Sequence, residues 1–495
     1  MAFFLHNLPA LMIVVPLMSA PVCVLLRRRE LAFGLAVLIT WFAFFCSCLL
    51  AWRVMREGFV TYDMGGWPPP IGIEYRIDAL NALLLLIVSG IASLVAPYSH
   101  RSLLLEYVQD RAYMFYAAFL LCMTGLMGVS ITGDAFNLFV FLEISSLSAY
   151  VLIALGFDRR ALIASYQYLV LGSIGATFIV IAIGLLYQAT GTLNMADLAV
   201  QLPKHGFDRT VVAAFGFLVV GAAIKIALFP LHQWMPNAYA YAPSTVAAFL
   251  AATATKVSVY ILIRFMFTIF GVHFSFGTLP TALPLIVLSV MAMFAGSTVA
   301  CFQQDVKRML AYSSVAQIGY IVLGVSLVTA PGLQAGIIHL FNHALMKGAL
   351  FLVMGCVFYR VGSTQIRDFA GLGRAMPWTM AGFVGAGLSL IGVPLTAGFV
   401  SKWYLVVAAL DKGWWPLAVL IVLSSLLAVI YIWRVIEVAY FQPLPAGRTV
   451  SHEAPVSMLI PLWILVAANF YFGIDPRLPV DFAAKAAASL MGSGS

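Results

Sequence analysis

The fold class predicted for this chain is an all-α polytopic membrane protein, and three observations predict it. Of 495 residues, 63% are hydrophobic and only 9% charged, against roughly 25% charged in a soluble domain. Apolar runs of about 20 residues recur from end to end, each long enough to cross a hydrocarbon core of about 30 Å. No linker, low-complexity tract or soluble domain separates them, so a single integral membrane domain over 1–495 is expected. The net charge of +8 does not point to nucleic acid, because the basic residues stand singly or in twos and threes between apolar runs, where they act as topology signals.

Hydropathy, with Gly, Pro and charge as punctuation, places fourteen spans near 5–26, 31–54, 78–98, 112–131, 135–156, 161–188, 210–229, 239–266, 281–302, 309–329, 333–358, 376–409, 415–440 and 455–474. The opening "MAFFLHNLPALMIVVPLMSA" has no basic n-region and runs straight into a spanning length, which predicts a retained first span and no cleaved leader. The closing "MGSGS" reads as a flexible end. Basic residues gather in the loops after the first, third, fifth, ninth and eleventh spans: Arg27-Arg28-Arg29, Arg101 with Arg111, Arg159-Arg160, Lys307-Arg308, and Arg360, Arg367 and Arg374. The loops between them are poorer in Lys and Arg or balance them, as Arg53, Arg56 and Arg76 stand against Glu57, Asp63 and Glu74. The expectation is a multi-pass protein of a bacterial inner membrane with both termini extracytoplasmic.

Cys23, Cys46, Cys48, Cys122, Cys301 and Cys356 all lie in apolar stretches, never as C-x-x-C or at ligand spacing from a histidine. No metal site, iron–sulfur cluster or haem motif is encoded, and no G-x-G-x-x-G follows a strand. No cofactor is expected.

Two spans read as broken. The seventh contains "GAAIKIALFPLHQWMPNAYAYAP" and the twelfth "GAGLSLIGVPLTAGFVSKWY". Pro230 and Pro394 each remove a helical hydrogen bond, and a bilayer tolerates the gap only where protein or water fills it. Paired breaks in corresponding halves point to an inverted-repeat transporter with its pathway near the breaks. Taken alone, they are explained equally by two ordinary proline kinks.

Seven ionisable residues fall deep in spans: Glu143, Lys225, Lys256, His339, His343, Lys347 and Lys402. Each would cost about 3 kcal/mol or more facing lipid at mid-depth. In "HLFNHALMKGALF" the steps of four put His339, His343 and Lys347 on one helix face. Lys256 shares its face with Ala252 and Tyr260, with Thr253, Thr255 and Ser258 near it; Glu143 shares its face with Ser146 and Tyr150. One intramembrane histidine needs no more than a buried interhelical bond to explain it. Seven such groups on five spans, including both broken ones, favour a charge pathway. A lysine whose acidic partner approaches or withdraws changes charge readily, and histidine titrates near neutrality, so water-linked side chains relay protons without a cofactor. His232, at the seventh-span break, serves equally as lining of a proton entrance or as a polar loop residue. Asp305, Lys307 and Arg308 read as a cytoplasmic anchor.

"FNLFVFLEISSLSAY", "KIALFPLHQWMPNAYAYAPSTVAAFLAATATKVSVYILIR", "QQDVKRMLAYSSVAQIGY", "HLFNHALMKGALF" and "AGFVSKW" together resemble the antiporter-like membrane subunits shared by Mrp-type multisubunit cation/proton antiporters and the pumping arm of respiratory complex I. The resemblance covers most of the chain and looks nearest to the D-type subunit of Mrp antiporters: Asn237 and Val257-Ser258-Val259 stand where complex I relatives usually carry an aspartate and a glycine-containing stretch. It implies N-terminal helices 1–3 over 1–111 and two inverted five-helix repeats, helices 4–8 over 112–266 and 9–13 over 281–440. Helix 14 and the tail would occupy 455–495. It also implies a pair between Glu143 and Lys225, a central Lys256, a relay through His339, His343 and Lys347, and an exit lysine at Lys402.

The leading expectation is a proton-translocating D-type subunit exchanging Na⁺ or another monovalent cation for protons, with other membrane subunits as partners. The alternative is the same module inside a redox-driven complex such as NADH:quinone oxidoreductase, with any catalysis in partner subunits. A non-conducting scaffold is the third reading, and the intact set of titratable groups argues against it.

Overall fold

Several of the long helices begin on a side chain that caps their first turn. Asp78, Asp134, Asp158, Asp208 and Asp305 each accept backbone N–H groups of the turn that follows. A computed structural model describes residues 2–107, 111–444 and 452–492. In chain order its helices are α1 (Ala2–Leu26), α2 (Arg29–Glu57), α3 (Ala79–Glu106), α4 (Ala112–Ile131), α5 (Ala135–Ala154), α6 (Arg159–Thr190), α7 (Met195–His205), α8 (Arg209–Ile226), α9 (Trp234–Tyr241) and α10 (Ser244–Ile263). They continue as α11 (Ala282–Phe302), α12 (Val306–Ser326), α13 (Ala330–Val361), α14 (Leu372–Ala375), α15 (Pro377–Ile391), α16 (Ala397–Asp411), α17 (Trp415–Phe441), α18 (Val456–Ile474) and α19 (Arg477–Leu490). The reading of the C-terminal end as flexible falls partly on 493–495, outside the described residues.

Among the described residues, thirteen helices are long and apolar enough to cross a membrane. The span expected at 376–409 is not one helix. It is α15 and α16, parted at Gly392–Thr396, where Gly392 (φ 89°) and Leu395 (φ 70°) leave helical geometry on either side of Pro394. The seventh expected span likewise ends early: α8 stops at Ile226, Ala227 takes a left-handed conformation (φ 60°), and the chain re-forms as the short α9. The expected start of the eighth span at 239 is therefore corrected to Ser244, because the Ala242-Pro243 step separates α9 from α10.

Three further corrections follow from local chemistry. A strictly all-α reading misses an antiparallel hairpin, β1 (Val60–Asp63) and β2 (Glu74–Ile77), between α2 and α3. The third span runs to Glu106 instead of 98, since Pro97 does not end the helix. Two amphipathic helices outside the spans, α7 and α19, bury Leu198 and Leu202, and Phe482, Ala483 and Leu490, respectively.

Residues of α10, α12 and α13 are buried almost all round, so these helices form the core. α1, α2, α6, α11 and α17 keep large apolar side chains outward, among them Leu25, Leu38, Leu162, Leu283 and Leu426. That outward oil is the surface a bilayer covers.

At the end of the bundle bearing the hairpin, the Arg264 guanidinium bonds the Asp78 carboxylate (2.6 Å) and the Asn81 amide oxygen (2.9 Å). Asp78→Ala removes a cap and this partner together, so it should destabilise by about 2–4 kcal/mol, against about 1 kcal/mol for the cap-only change Asp208→Ala. Thermal unfolding followed by labelling of the buried Cys23, Cys46, Cys122 and Cys356 ranks the two variants; equal midpoints would remove the ion pair from the account.

Candidate functional site

The seven intramembrane ionisable side chains fall in two groups, Glu143 with Lys225 at the first helix break and His339, His343, Lys347 and Lys402 on α13 and α16, with Lys256 of α10 apart from both. In the first, Lys225 sits one residue before the end of α8 and reaches α5, where its Nζ donates to Ser146 Oγ at 2.8 Å and lies 3.6 Å from Glu143 Oε1. Lys225 is 2% exposed and the carboxylate 27%, which puts the acid at the edge of the bundle and the base inside it. Trp234 of α9 closes the break by donating Nε1–H to Ile224 O at 2.9 Å, and it stacks on Tyr168 at 3.9 Å. His232 lies half-buried in the break, its ring 5.3 Å from that of Phe229.

Lys256 is fully buried on α10, where Nζ donates to Ala251 O at 2.5 Å and lies 3.4 Å from Thr255 Oγ1. The face it was expected to share with Ala252 and Tyr260 is buried with it. α10 packs against α13, the helix that carries His339, His343 and Lys347.

In the second group, His339 is held from both sides: Nε2 at 2.9 Å from Gln317 Oε1 of α12 and Nδ1 at 2.8 Å from Ser401 Oγ of α16. With the amide oxygen accepting, the neutral ring carries its hydrogen on Nε2 and Nδ1 accepts from Ser401; a protonated ring donates to both. His343 lies parallel to it with ring centroids 6.2 Å apart, and neither of its nitrogens has a hydrogen-bond partner among the described residues. Lys347 Nζ donates to Leu310 O at 2.8 Å and to Ser313 Oγ, both on α12.

Lys402 reaches back across the second break. Pro394 has no N–H to offer Leu390 O, and Lys402 Nζ takes that carbonyl at 2.9 Å, with Ile391 O at 2.9 Å and Ser425 Oγ at 2.6 Å. Its ammonium also lies 5.0 Å from the centre of the Tyr320 ring. Glu143 is the one carboxylate within salt-bridge distance of any of these four lysines among the described residues. No cluster of His, Cys, Asp or Glu fit to hold a metal occurs among them.

Sequence reasoning missed the burial of Glu74 and Glu106. Lys307, read as part of a cytoplasmic anchor, is 4% exposed and points to Glu106 (6% exposed), while Asp305 caps α12. The signal for Glu106 was present in "SLLLEYV" but lay past the point where the third span was ended. The neutral partners Gln317, Ser313, Ser401 and Ser425 carried no signal beyond being polar in apolar runs.

Gln317→Leu should strand the His339 Nε2–H and cost about 1–3 kcal/mol, and pairing it with His339→Leu should cost less than the sum of the two single changes. Unfolding midpoints of the four proteins close this cycle; additive costs would mean that the bond has no weight.

Residues 132–428 match the model of the family described as NADH:quinone oxidoreductase/Mrp antiporter, TM. The chain is 44% identical to NADH-quinone oxidoreductase subunit N of Desulforudis audaxviator, over 93% of this chain and 94% of that protein. It is 29% identical to the D-type subunit of the Na(+)/H(+) antiporter of Bacillus subtilis, over 98% of both. Its fold matches a chain of the Mrp complex from a Dietzia species with a TM-score of 0.90 at 25% identity, over 99% of this chain and 98% of that one.

Proposed function

The chain belongs to the NADH:quinone oxidoreductase/Mrp antiporter transmembrane family, and on that premise we propose that it is a proton-translocating subunit of a multisubunit, redox-driven membrane complex. The observation that carries the proposal is the set of buried cationic and imidazole groups from Lys225 to Lys402, furnished with one carboxylate, Glu143, within ion-pairing distance of its lysines among the described residues. Such a set cannot hold every charge at once, since each added proton repels the next at low dielectric. A proton gained at one end therefore favours release further along.

In this reading Glu143 and Lys225 form the loading pair, with Ser146 holding the ammonium in place when the carboxylate is neutral. Lys256 passes charge to the His343–His339–Lys347 face of α13. His339 takes up and gives back its proton at Nδ1, beside Ser401, while Gln317 holds the Nε2–H in place. Lys402 releases it at the second break, where Ser425 and the freed carbonyls hold the ammonium. The two groups then correspond to two inverted repeats, 112–266 and 281–440, with 1–111 and 455–495 flanking them. His232 lines the first entrance. The basic loops face the cytoplasm of a bacterium and both termini lie outside.

The sequence alone ranks Na⁺/H⁺ exchange first. The identities favour the other order, with 44% to a quinone oxidoreductase subunit against 29% to a D-type antiporter subunit. Electron transfer would reside in partner subunits. Monovalent cation/proton antiport within an Mrp-type complex is the second reading, supported by the end-to-end match to a chain of the Mrp complex.

Inverted vesicles carrying the whole complex separate these readings. Redox substrate should acidify the lumen and an external Na⁺ step should leave an acidified lumen unchanged; a Na⁺ step that draws H⁺ out of it, with no redox-driven acidification, would select antiport. Lys225→Ala and Lys256→Ala should each lower the rate by about tenfold or more, whereas full transport in both would sink the assigned roles.

A further inference from the structure

At the end of the bundle that carries the basic loops, a cavity of about 750 Å³ opens among residues that follow α5, α9, α11 and α13. Its rim holds Asp158, Arg160, Asp305 and Arg308, two acids against two bases, together with Tyr241. With the rim balanced, the floor is decided by a second acid–base pair, Glu106 of α3 and Lys307 of α12, which are 6% and 4% exposed and both line the cavity.

The pair is loose, at 3.9 Å, because each member is bonded elsewhere. Glu106 accepts the Ser244 N–H at 2.5 Å on one oxygen and the Ser244 hydroxyl at 2.6 Å on the other. Lys307 donates to Ala242 O at 3.2 Å. Both sets of bonds converge on Ala242-Pro243-Ser244, the joint between the half-helix α9 and α10. Ser244 is the first residue of α10, and Lys256 lies about 18 Å further along the same helix.

We propose that Glu106 is a proton-loading group for this cavity, whose charge state is transmitted to Lys256 through the position of α10, with Lys307 as the fixed counter-charge. The inference rests on the proton-translocating function proposed for the chain. As a carboxylate, Glu106 clamps the first turn of α10 with two charge-assisted bonds and attracts Lys307. A proton arriving from cavity water adds to one carboxylate oxygen, which ends that oxygen's role as a charged acceptor and leaves Lys307 as an uncompensated cation beside Ala242. The joint then loosens at the end of the helix that carries Lys256. Glu106 acts on Lys256 through the helix, so it is a positioning residue toward Lys256 and a binding residue toward the proton.

The test uses vesicles carrying the whole complex, driven by whichever of redox substrate or cation gradient moves protons in the wild type, with assembled complex quantified in each membrane. Glu106→Gln keeps the shape and one acceptor but takes no proton. It should lower the rate per assembled complex by about tenfold or more and flatten the dependence of rate on the pH of the compartment that the cavity faces. Glu106→Asp should restore a pH-dependent rate. A Glu106→Gln complex with wild-type rate and pH profile would overturn the inference while leaving the central relay standing, as would a loss that Glu106→Asp does not repair. A wild type that moves protons under neither driver overturns the relay and this inference with it.

Discussion

A buried ammonium must find oxygen, and in a hydrocarbon-facing bundle the oxygen has to come from the protein. Lys402 shows how the chain meets that demand. Pro394 cannot donate to Leu390 O, the carbonyl is left over, and the lysine from the next half-helix takes it. The break and the charge are solutions to each other's cost: without the lysine the freed carbonyl would be stranded, and without the break the lysine would compete with helical bonds. Lys225 sits before its break, at the end of α8, and is held by Ser146 and a carboxylate instead. One end of the polar set thus meets a carboxylate, the other only dipoles.

The remaining architecture keeps these partners in place. α13 carries two histidines and a lysine on one face, and α12 and α16 supply their acceptors. Those helices are in turn enclosed by α3, α10, α15 and α18. Around them the outer helices expose Leu, Val and Trp to the bilayer, so the interior alone has to satisfy polar groups. His343 is one exception, with two ring nitrogens unpartnered among the described residues in a fully buried position, and it stands between His339 and Lys347, which are both bonded.

Much of this was legible in the sequence, because charge in an apolar run is conspicuous and proline breaks helices wherever it lacks a compensating context. All seven ionisable residues and both breaks were placed from those two rules. What stayed hidden had weaker signatures. Gln317 and Ser401 are neutral, and a backbone carbonyl leaves no mark in the sequence at all. Glu106 was hidden because Pro97, His100 and Arg101 looked like the end of a span, whereas α3 carries on for two more turns into a protein environment that accepts them. The hairpin between α2 and α3 is four residues a side, too short for alternation to stand out. The separation of α9 from α10 depended on reading Ala242-Pro243 as a joint instead of a helix start.

One rod, α12, meets three charges in succession: Lys307 is its own, Lys347 docks on Leu310 and Ser313, and His339 on Gln317. Each residue added to a helix turns everything after it by about 100°. Between positions 307 and 317, then, the chain has freedom of spelling but none of length. Conservative exchanges can drift there, while a single insertion or deletion would swing Gln317 away from its histidine even as Lys307 kept its place. The segment behaves as a key whose cuts can be polished but not shifted.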